Sequence, residues 1–315
     1  MIGARLPLAL AAGFVPGVRV AVFHPAAKAD LSALPGAQVI SPLATVHAAF
    51  PGAVTDPDGP YTSAIVALPR AKAEARALVA AAMAATQGPV LIDGQKTDGI
   101  DSLLKDVRKR AAPSAPIAKA HGKAFWLEAT DAFDDWAQTP ALTPGGFWTA
   151  PGVFSADGID DGSSMLAAAL PDKLGRVVAD LGAGWGMLSA HALTRDGVEA
   201  CHLVENHHLA LECAKRNVTD PRAQYHWADA TRWTHPGIET VVMNPPFHTG
   251  RAPDPALGRA FIAAAARLLA PRGQLWMVAN RHLPYEETLQ AHFAQVTEIG
   301  GDARFKLTHA AKPRR

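Results

Sequence analysis

The sequence predicts an α/β protein of two tandem domains, each built on a mostly parallel sheet. Apolar, β-branched runs alternate with helical periods along the chain, the pattern of strands joined by crossover helices. The chain has 315 residues, about twice an ordinary domain length. A glycine turn, DLGAGWG at 180–186, opens a doubly wound series of elements in the second half alone.

In the first half, LPLALAAG reads as an opening helix and VRVAVFHP (18–25) as a buried strand. Arg5 followed by LPLALAAGFVPGV also has the outline of a short signal peptide, but the folded-domain reading is adopted. Next come the strand SAIVALP (63–69), the helix 71–86 and the strand PVLIDGQ (89–95). GIDSLLKDVRKR (99–110) follows as a helix, with Ile100, Leu103, Leu104 and Val107 on one side. This half has no acid followed by GxGxG and no Asn-Pro-Pro. Residues 111–150 are rich in Pro, Ala and Gly without a long period, and the domain division is placed near 140: 1–140 and 141–315.

The second half runs helix 163–171, strand 176–182, the glycine turn, helix 187–196, strand 199–205 and helix 209–218. Strands 223–229 and 238–244, helix 255–270 and strand 273–279 complete the doubly wound order. FAQVTEI and RFKLTHA, either side of GGDA, form a closing hairpin.

Composition sets outer bounds. With 49% hydrophobic and 19% charged residues the chain is globular, and no run of 18 apolar residues is present to form an ordinary spanning helix. Cys201 and Cys213 have neither disulfide-framework nor zinc spacing, so reduced thiols, a cytoplasmic setting and no metal are expected. Net charge is +1, with 13 basic and 12 acidic side chains in residues 1–140 and 17 of each thereafter, so bulk charge does not point to nucleic acid. The stretch 105–123 holds six basic residues against one acid, a solvated face or a contact for RNA phosphate.

The glycine turn is the first sign of chemistry. Gly182, Gly184 and Gly186 let the backbone turn tightly between strand and helix and approach a bound ligand without a Cβ in the way, with Ala183 between them part of the same cofactor-binding turn. A dinucleotide loop places its last glycine one position later and seats a pyrophosphate there. Here an acid, Asp180, precedes G-x-G-x-G, which suits a phosphate-free cofactor with a cationic end: S-adenosylmethionine. Glu205, ending the next strand, is placed for the two ribose hydroxyls, and Asp229, ending the third, for the adenine amine. Each alone would more often be a solvated strand-end acid; the series makes the cofactor reading.

VVMNPPFHTG (241–250) ends a buried strand on Asn244 with two prolines behind it. Methylating an exocyclic base amine needs help because its lone pair is delocalised into the ring. The Asn244 side-chain oxygen and the Pro245 carbonyl form a fixed acceptor pair for its N–H groups, and Phe247 is placed to stack on an extruded base. The alternative is a strand-ending turn with a packed phenylalanine.

DLGAGWG, Glu205, Asp229 and NPPFHTG, with PGVFSADGIDDGSSMLAAALP before them and VANRHLPYEETLQAHFAQVTEIGGDARFKLTHA after, resemble the bacterial small-subunit ribosomal RNA guanine-N2 methyltransferases. The resemblance covers about 147–310 and extends more weakly to LPRAKAEARALV and IDGQKTDGIDSLLK. It implies two tandem Rossmann-like class I methyltransferase domains, the second with a seven-stranded, mostly parallel sheet and an antiparallel closing hairpin. The first would be a degenerate copy that aids substrate binding and stability. The implied reaction is methyl transfer from S-adenosylmethionine to the N2 amine of a guanosine in 16S rRNA, with the 30S subunit as partner. No membrane or metal is expected, and the protein is expected to be a monomer. Asn244 would touch cofactor as well as substrate, and Phe154 would form a second wall for the base. His248 and Arg281 lie just after strands four and five, where α/β sheets bind ligands, and are placed either to contact RNA phosphate or as solvated loop residues. The related large-subunit guanine-N2 enzymes, a protein glutamine methyltransferase and a non-catalytic RNA-binding factor are the alternatives.

Overall fold

The computed structural model describes residues 2–246 and 255–314, and the chain divides into two compact units, Met1–Thr139 and Pro140–Arg315.

The first unit opens with helix α1 (Ile2–Ala11), whose Ile2, Leu6 and Ala9 enter the core. Strands β1 (Val20–Phe23) and β2 (Gln38–Ile40), helix α2 (Ala44–Ala49), strand β3 (Ser63–Ala67), helix α3 (Lys72–Ala84), strand β4 (Pro89–Gln95) and helix α4 (Ile100–Val107) follow. β5 (Ile117–Lys119) and β6 (Gly122–Glu128) close the sheet, in the order β2-β1-β3-β4-β6-β5. The first four of these strands are parallel; β6 runs antiparallel to β4 and β5 to β6. The stretch beginning at 111 is therefore not merely a boundary: its first part is the closing hairpin of this sheet. Ala124, Phe125 and Leu127 are buried there, so GKAFWLE is a packed strand despite its Pro- and Ala-rich surroundings.

Side chains alternate across the sheet as the two-residue period requires. Phe23, Val66 and Ile92 face one apolar cluster with α3 and α4, and Val22, Ile65 and Leu91 face the other with α1. Arg5 of α1 is fully buried, paired with Asp93 of β4 and donating from Nη1 to the Lys119 carbonyl at 2.7 Å.

The second unit begins with a short ribbon, β7 (Ala141–Leu142) and β8 (Trp148–Thr149), then helix α5 (Asp161–Ala169). Next come β9 (Val177–Leu181), α6 (Met187–Leu193), β10 (Ala200–Glu205), α7 (His208–Asn217), β11 (Ala223–Trp227) and β12 (Ile238–Met243). α8 (Pro255–Leu268), β13 (Leu269–Asn280), α9 (Glu286–His292), β14 (Phe293–Gly301) and β15 (Phe305–Pro313) complete it. The seven strands order as β11-β10-β9-β12-β13-β15-β14, with β15 antiparallel to both of its neighbours, β13 and β14. Val178, Leu203 and Val242 pack to one side, Ala179, Val204 and Val241 to the other. Strand order reverses between β9 and its neighbours β10 and β12, so the carboxyl ends of these strands flank a crevice, where open α/β sheets hold ligands. Cys201 and Cys213 are free and buried, and burial pushes the Cys201 thiol up to about 12. Among the described residues no helix is long and apolar enough to cross a membrane.

Candidate active site

The glycine turn leaves the end of β9 and enters α6. Gly182, Gly184 and Gly186 have φ of +76°, +57° and +93°, the left-handed region that side chains resist. At Gly186 a Cβ would lie 2.8 Å from Val218, whereas a Cβ at Gly184 would meet nothing within 4 Å among the described residues. Gly186 thus serves close packing of the turn on α7, and Gly184 keeps its backbone open to the cleft. Asn217 on α7 fastens the turn from the side, donating to the carbonyls of Trp185 and Trp148 at 2.9 Å each and accepting from Trp148 N at 2.7 Å.

The three strand-end acids are held in distinct ways. Asp180 is buried; its Oδ2 accepts from the Ser189 hydroxyl at 2.7 Å, while Oδ1 is buried with no hydrogen bond from the described residues. Burial, then the hydrogen-bonding of Ser189 in the opposite sense and the repulsion of Glu205, set its pKa at about 7. Glu205 accepts from Gly184 N with Oε2 and from His207 N with Oε1, each at 2.8 Å, which fixes the carboxylate beside the turn. Burial raises its pKa, and those backbone donors oppose the rise. Asp229, two residues past β11, accepts from the backbone and hydroxyl of Thr231 with Oδ1, at 2.9 and 2.6 Å. This arrangement fits S-adenosylmethionine: an unsatisfied buried carboxylate oxygen for a cationic ligand, an open glycine backbone and two fixed acids at successive strand ends.

Asn244 stands just past β12, half-buried, with Pro245 buried behind it. Its Nδ2 donates to Asp160 Oδ2 and to Ser163 Oγ, both at 3.0 Å. The amide nitrogen is thereby occupied, and the side-chain oxygen is the end left to accept. Asp160 is the N-cap of α5, and its Oδ2 also accepts from Ser163 N at 2.8 Å. Phe154, Ser155, Asp160, Ser163, the turn 182–185 and Asn244 line one cleft. Phe154 is 53% exposed, an aromatic face left open at the rim of that cleft.

Asp160, Ser163 and Asn217 escaped the sequence reading. The only signal for the first two was an Asp three positions before a Ser at the head of a helical run, which marks an N-cap and says nothing about Asn244. Arg281 is not brought to the cleft. It donates to the carbonyls of Asp302 (2.7 Å) and Phe305 (3.2 Å) and pairs with Glu298 at 2.9 Å, binding β13 to the closing hairpin. Phe247 and His248 lie outside the described residues. Among those described, no cluster of three or more His, Cys, Asp or Glu side chains could hold a metal.

Three of the six basic side chains at 105–123, Lys109, Arg110 and Lys123, are paired within their own unit. Asp106 takes Arg76, Lys72 and Lys109, which hold its carboxyl well below the usual range, while Arg110 pairs with Asp135 and Lys123 with Asp101.

The family described as "Methyltransferase small domain" matches residues 145–309. Ribosomal RNA small subunit methyltransferase C of Hahella chejuensis is 31% identical over 234 residues, 70% of this chain and 68% of that protein. The protein of the same name from a Shewanella species is 31% identical over 261 residues, 78% of this chain and 76% of that one. The chain belongs to this methyltransferase family. A solved member, a T. thermophilus 16S rRNA N2 guanosine methyltransferase in complex with AdoMet and guanosine, superposes with a TM-score of 0.77 at 22% identity, over 98% of this chain and 94% of that one. The match over nearly the whole chain establishes the fold as two tandem Rossmann-like class I methyltransferase domains.

Proposed function

We propose that this family member transfers the methyl group of S-adenosylmethionine to the exocyclic N2 amine of a guanosine in 16S rRNA. The observation that carries the reading is the clamped amide. With Nδ2 held by Asp160 and Ser163, Asn244 presents its oxygen to a cleft bounded by the glycine turn and Phe154. Membership among the small-subunit ribosomal RNA methyltransferases supports the RNA target.

When bound, S-adenosylmethionine supplies an electrophilic methyl on a sulfonium. Glu205 would hold the ribose hydroxyls with its remaining lone pairs, Asp229 the adenine amine, and Asp180 the cationic end. The Asn244 oxygen and the Pro245 carbonyl accept the two N–H groups of the target amine. They draw its lone pair out of the ring system and hold it in line with the methyl group; such fixed acceptors need no reorganisation as charge develops. The new N–C bond forms as the C–S bond breaks. The methylated amine would carry one excess proton, which the Asn244 and Pro245 oxygens would hydrogen-bond and solvent would take up, since an amide oxygen is too weak a base to keep it. Phe154 offers one face for the extruded base, and Phe247 follows Pro246 directly in sequence.

The amino-terminal unit is read as a degenerate copy that serves substrate binding and stability. The test is transfer of labelled methyl to 30S subunits, naked 16S rRNA and 50S subunits from a strain lacking the enzyme, with the product nucleoside identified by mass spectrometry. N2-methylguanosine in 30S or 16S RNA is expected; label on 50S alone, or on none, contradicts the reading.

A further inference from the structure

Guanine presents two adjacent donors on one edge, the N1–H and the N2 amine. Asn244 and Pro245 account for the amine alone, and the same pair would serve any purine carrying an amine in that position. Beside Asn244 stands a carboxylate, Asp160, whose Oδ2 lies 3.0 Å from Asn244 Nδ2. That oxygen is engaged twice, by Asn244 and by the Ser163 backbone. The other, Oδ1, makes no hydrogen bond and Asp160 no ion pair among the described residues; the neighbouring guanidinium of Arg304 pairs with Asp161 instead, at 2.8 Å. Asp160 lines the same cleft as Phe154 and Asn244.

Capping α5 does not explain the charge. Ser or Asn caps a helix as well as Asp does, and the Asn244 amide needs only an acceptor. An ionised carboxylate is acceptor-only, so beside the amine pocket it favours a base whose next ring atom is N–H and disfavours one whose next ring atom bears a lone pair. Resting on the guanosine reading above, we infer that Asp160 is a specificity-determining residue. Its Oδ1 accepts the N1–H of the target guanine while Asn244 and Pro245 accept from the adjacent N2 amine. A site built around a donor rejects the analogue lacking it because the acceptor is then left unpaired.

The test is equilibrium binding of guanosine, inosine, adenosine and 2-aminopurine riboside to the full chain saturated with S-adenosylhomocysteine. 2-Aminopurine keeps the N2 amine but has an unprotonated N1; inosine keeps N1–H but lacks the amine. The wild-type protein should bind guanosine about tenfold or more tighter than 2-aminopurine riboside, the worth of one charge-assisted hydrogen bond. Asp160→Asn keeps an oxygen for Ser163 and Asn244 but offers an N–H2 to the base. It should weaken guanosine and inosine together, by about ten- to hundredfold, and narrow or reverse the preference over 2-aminopurine riboside, with S-adenosylhomocysteine affinity unchanged. Asn244→Ala should instead weaken guanosine and 2-aminopurine riboside and spare inosine. Equal wild-type affinity for guanosine and 2-aminopurine riboside, or an unchanged ratio in Asp160→Asn, overturns the inference alone. No wild-type preference for guanosine over adenosine overturns the guanosine reading and the inference with it.

Discussion

In the amino-terminal domain Phe23 pairs with Val66, two residues before Leu68; in the carboxy-terminal domain Asp180 pairs with Val242, two residues before Asn244. On the other side Phe23 pairs with Ile40, two residues before Pro42, and Asp180 with Leu203, two residues before Glu205. Register thus places Phe23, Pro42 and Leu68 where the second domain has Asp180, Glu205 and Asn244. A proline follows in both, in Leu68-Pro69-Arg70 and in Asn244-Pro245-Pro246. The sheet orders match as well, except that at the edge place of β11, whose end leads to Asp229, the first sheet has among the described residues a single parallel bridge from Val54 to Ile40 and no full strand. Two copies of one architecture therefore share their apolar alternation and differ at the strand tips. Packing preserves the fold, and the polar side chains at the carboxyl ends carry the chemistry.

The strongest way to break this comparison is to exchange the tips. Asn244→Ala should lower the methyl-transfer rate by about a hundredfold or more with S-adenosylmethionine affinity nearly unchanged, as single-turnover kinetics and calorimetry would show. Leu68→Asn in the other domain should create no second site; it buries an unpaired amide and should cost about 1–3 kcal/mol in chemical denaturation.

A large effect on stability is expected at the buried pair that belongs to the amino-terminal domain alone. Asp93→Ala leaves the Arg5 guanidinium buried without its carboxylate, a loss of about 3–5 kcal/mol. The amino-terminal unfolding transition should shift to lower denaturant; an unmoved transition would show that the pair is dispensable.

Asp180 sharpens the contrast through pH. Its folded pKa of about 7 lies above the ordinary carboxylate value, so the folded apo protein binds the extra proton and its stability declines as pH rises through that window. A cationic ligand favours the ionised acid, so S-adenosylmethionine affinity should rise about tenfold between roughly pH 6 and 8. Asp180→Asn should flatten that dependence, and a flat wild-type profile would remove the role given to this acid. The smallest effect is expected at Lys109, which is exposed and shares Asp106 with Arg76 and Lys72. Lys109→Ala should change stability by under about 0.5 kcal/mol and leave 30S affinity intact; a marked loss of affinity in a filter-binding assay would mark that face as an RNA contact.

What the sequence reveals follows from how far apart the cooperating residues lie. The glycine turn, Glu205, Asp229 and Asn244 are legible because each ends an apolar run, and a strand tip is a local event. The clamp on Asn244 is not, because Asp160 and Ser163 reach it across 84 and 81 residues through the packing of α5 against the sheet end. Arg281 has the sequence position of a ligand contact, just past a strand, yet the closing hairpin claims it. In the first half, β6 hides in a Pro- and Ala-rich stretch, and β2, three residues long, is too short to show a period.

On the proposed reading the carboxy-terminal domain alone holds the cofactor. Calorimetric titration of S-adenosylmethionine into the wild-type chain and into Glu205→Ala tests it most directly. The account predicts one equivalent bound per wild-type chain and an affinity reduced by orders of magnitude in the variant. Two equivalents per chain, or one that survives in Glu205→Ala at unchanged affinity, would contradict it.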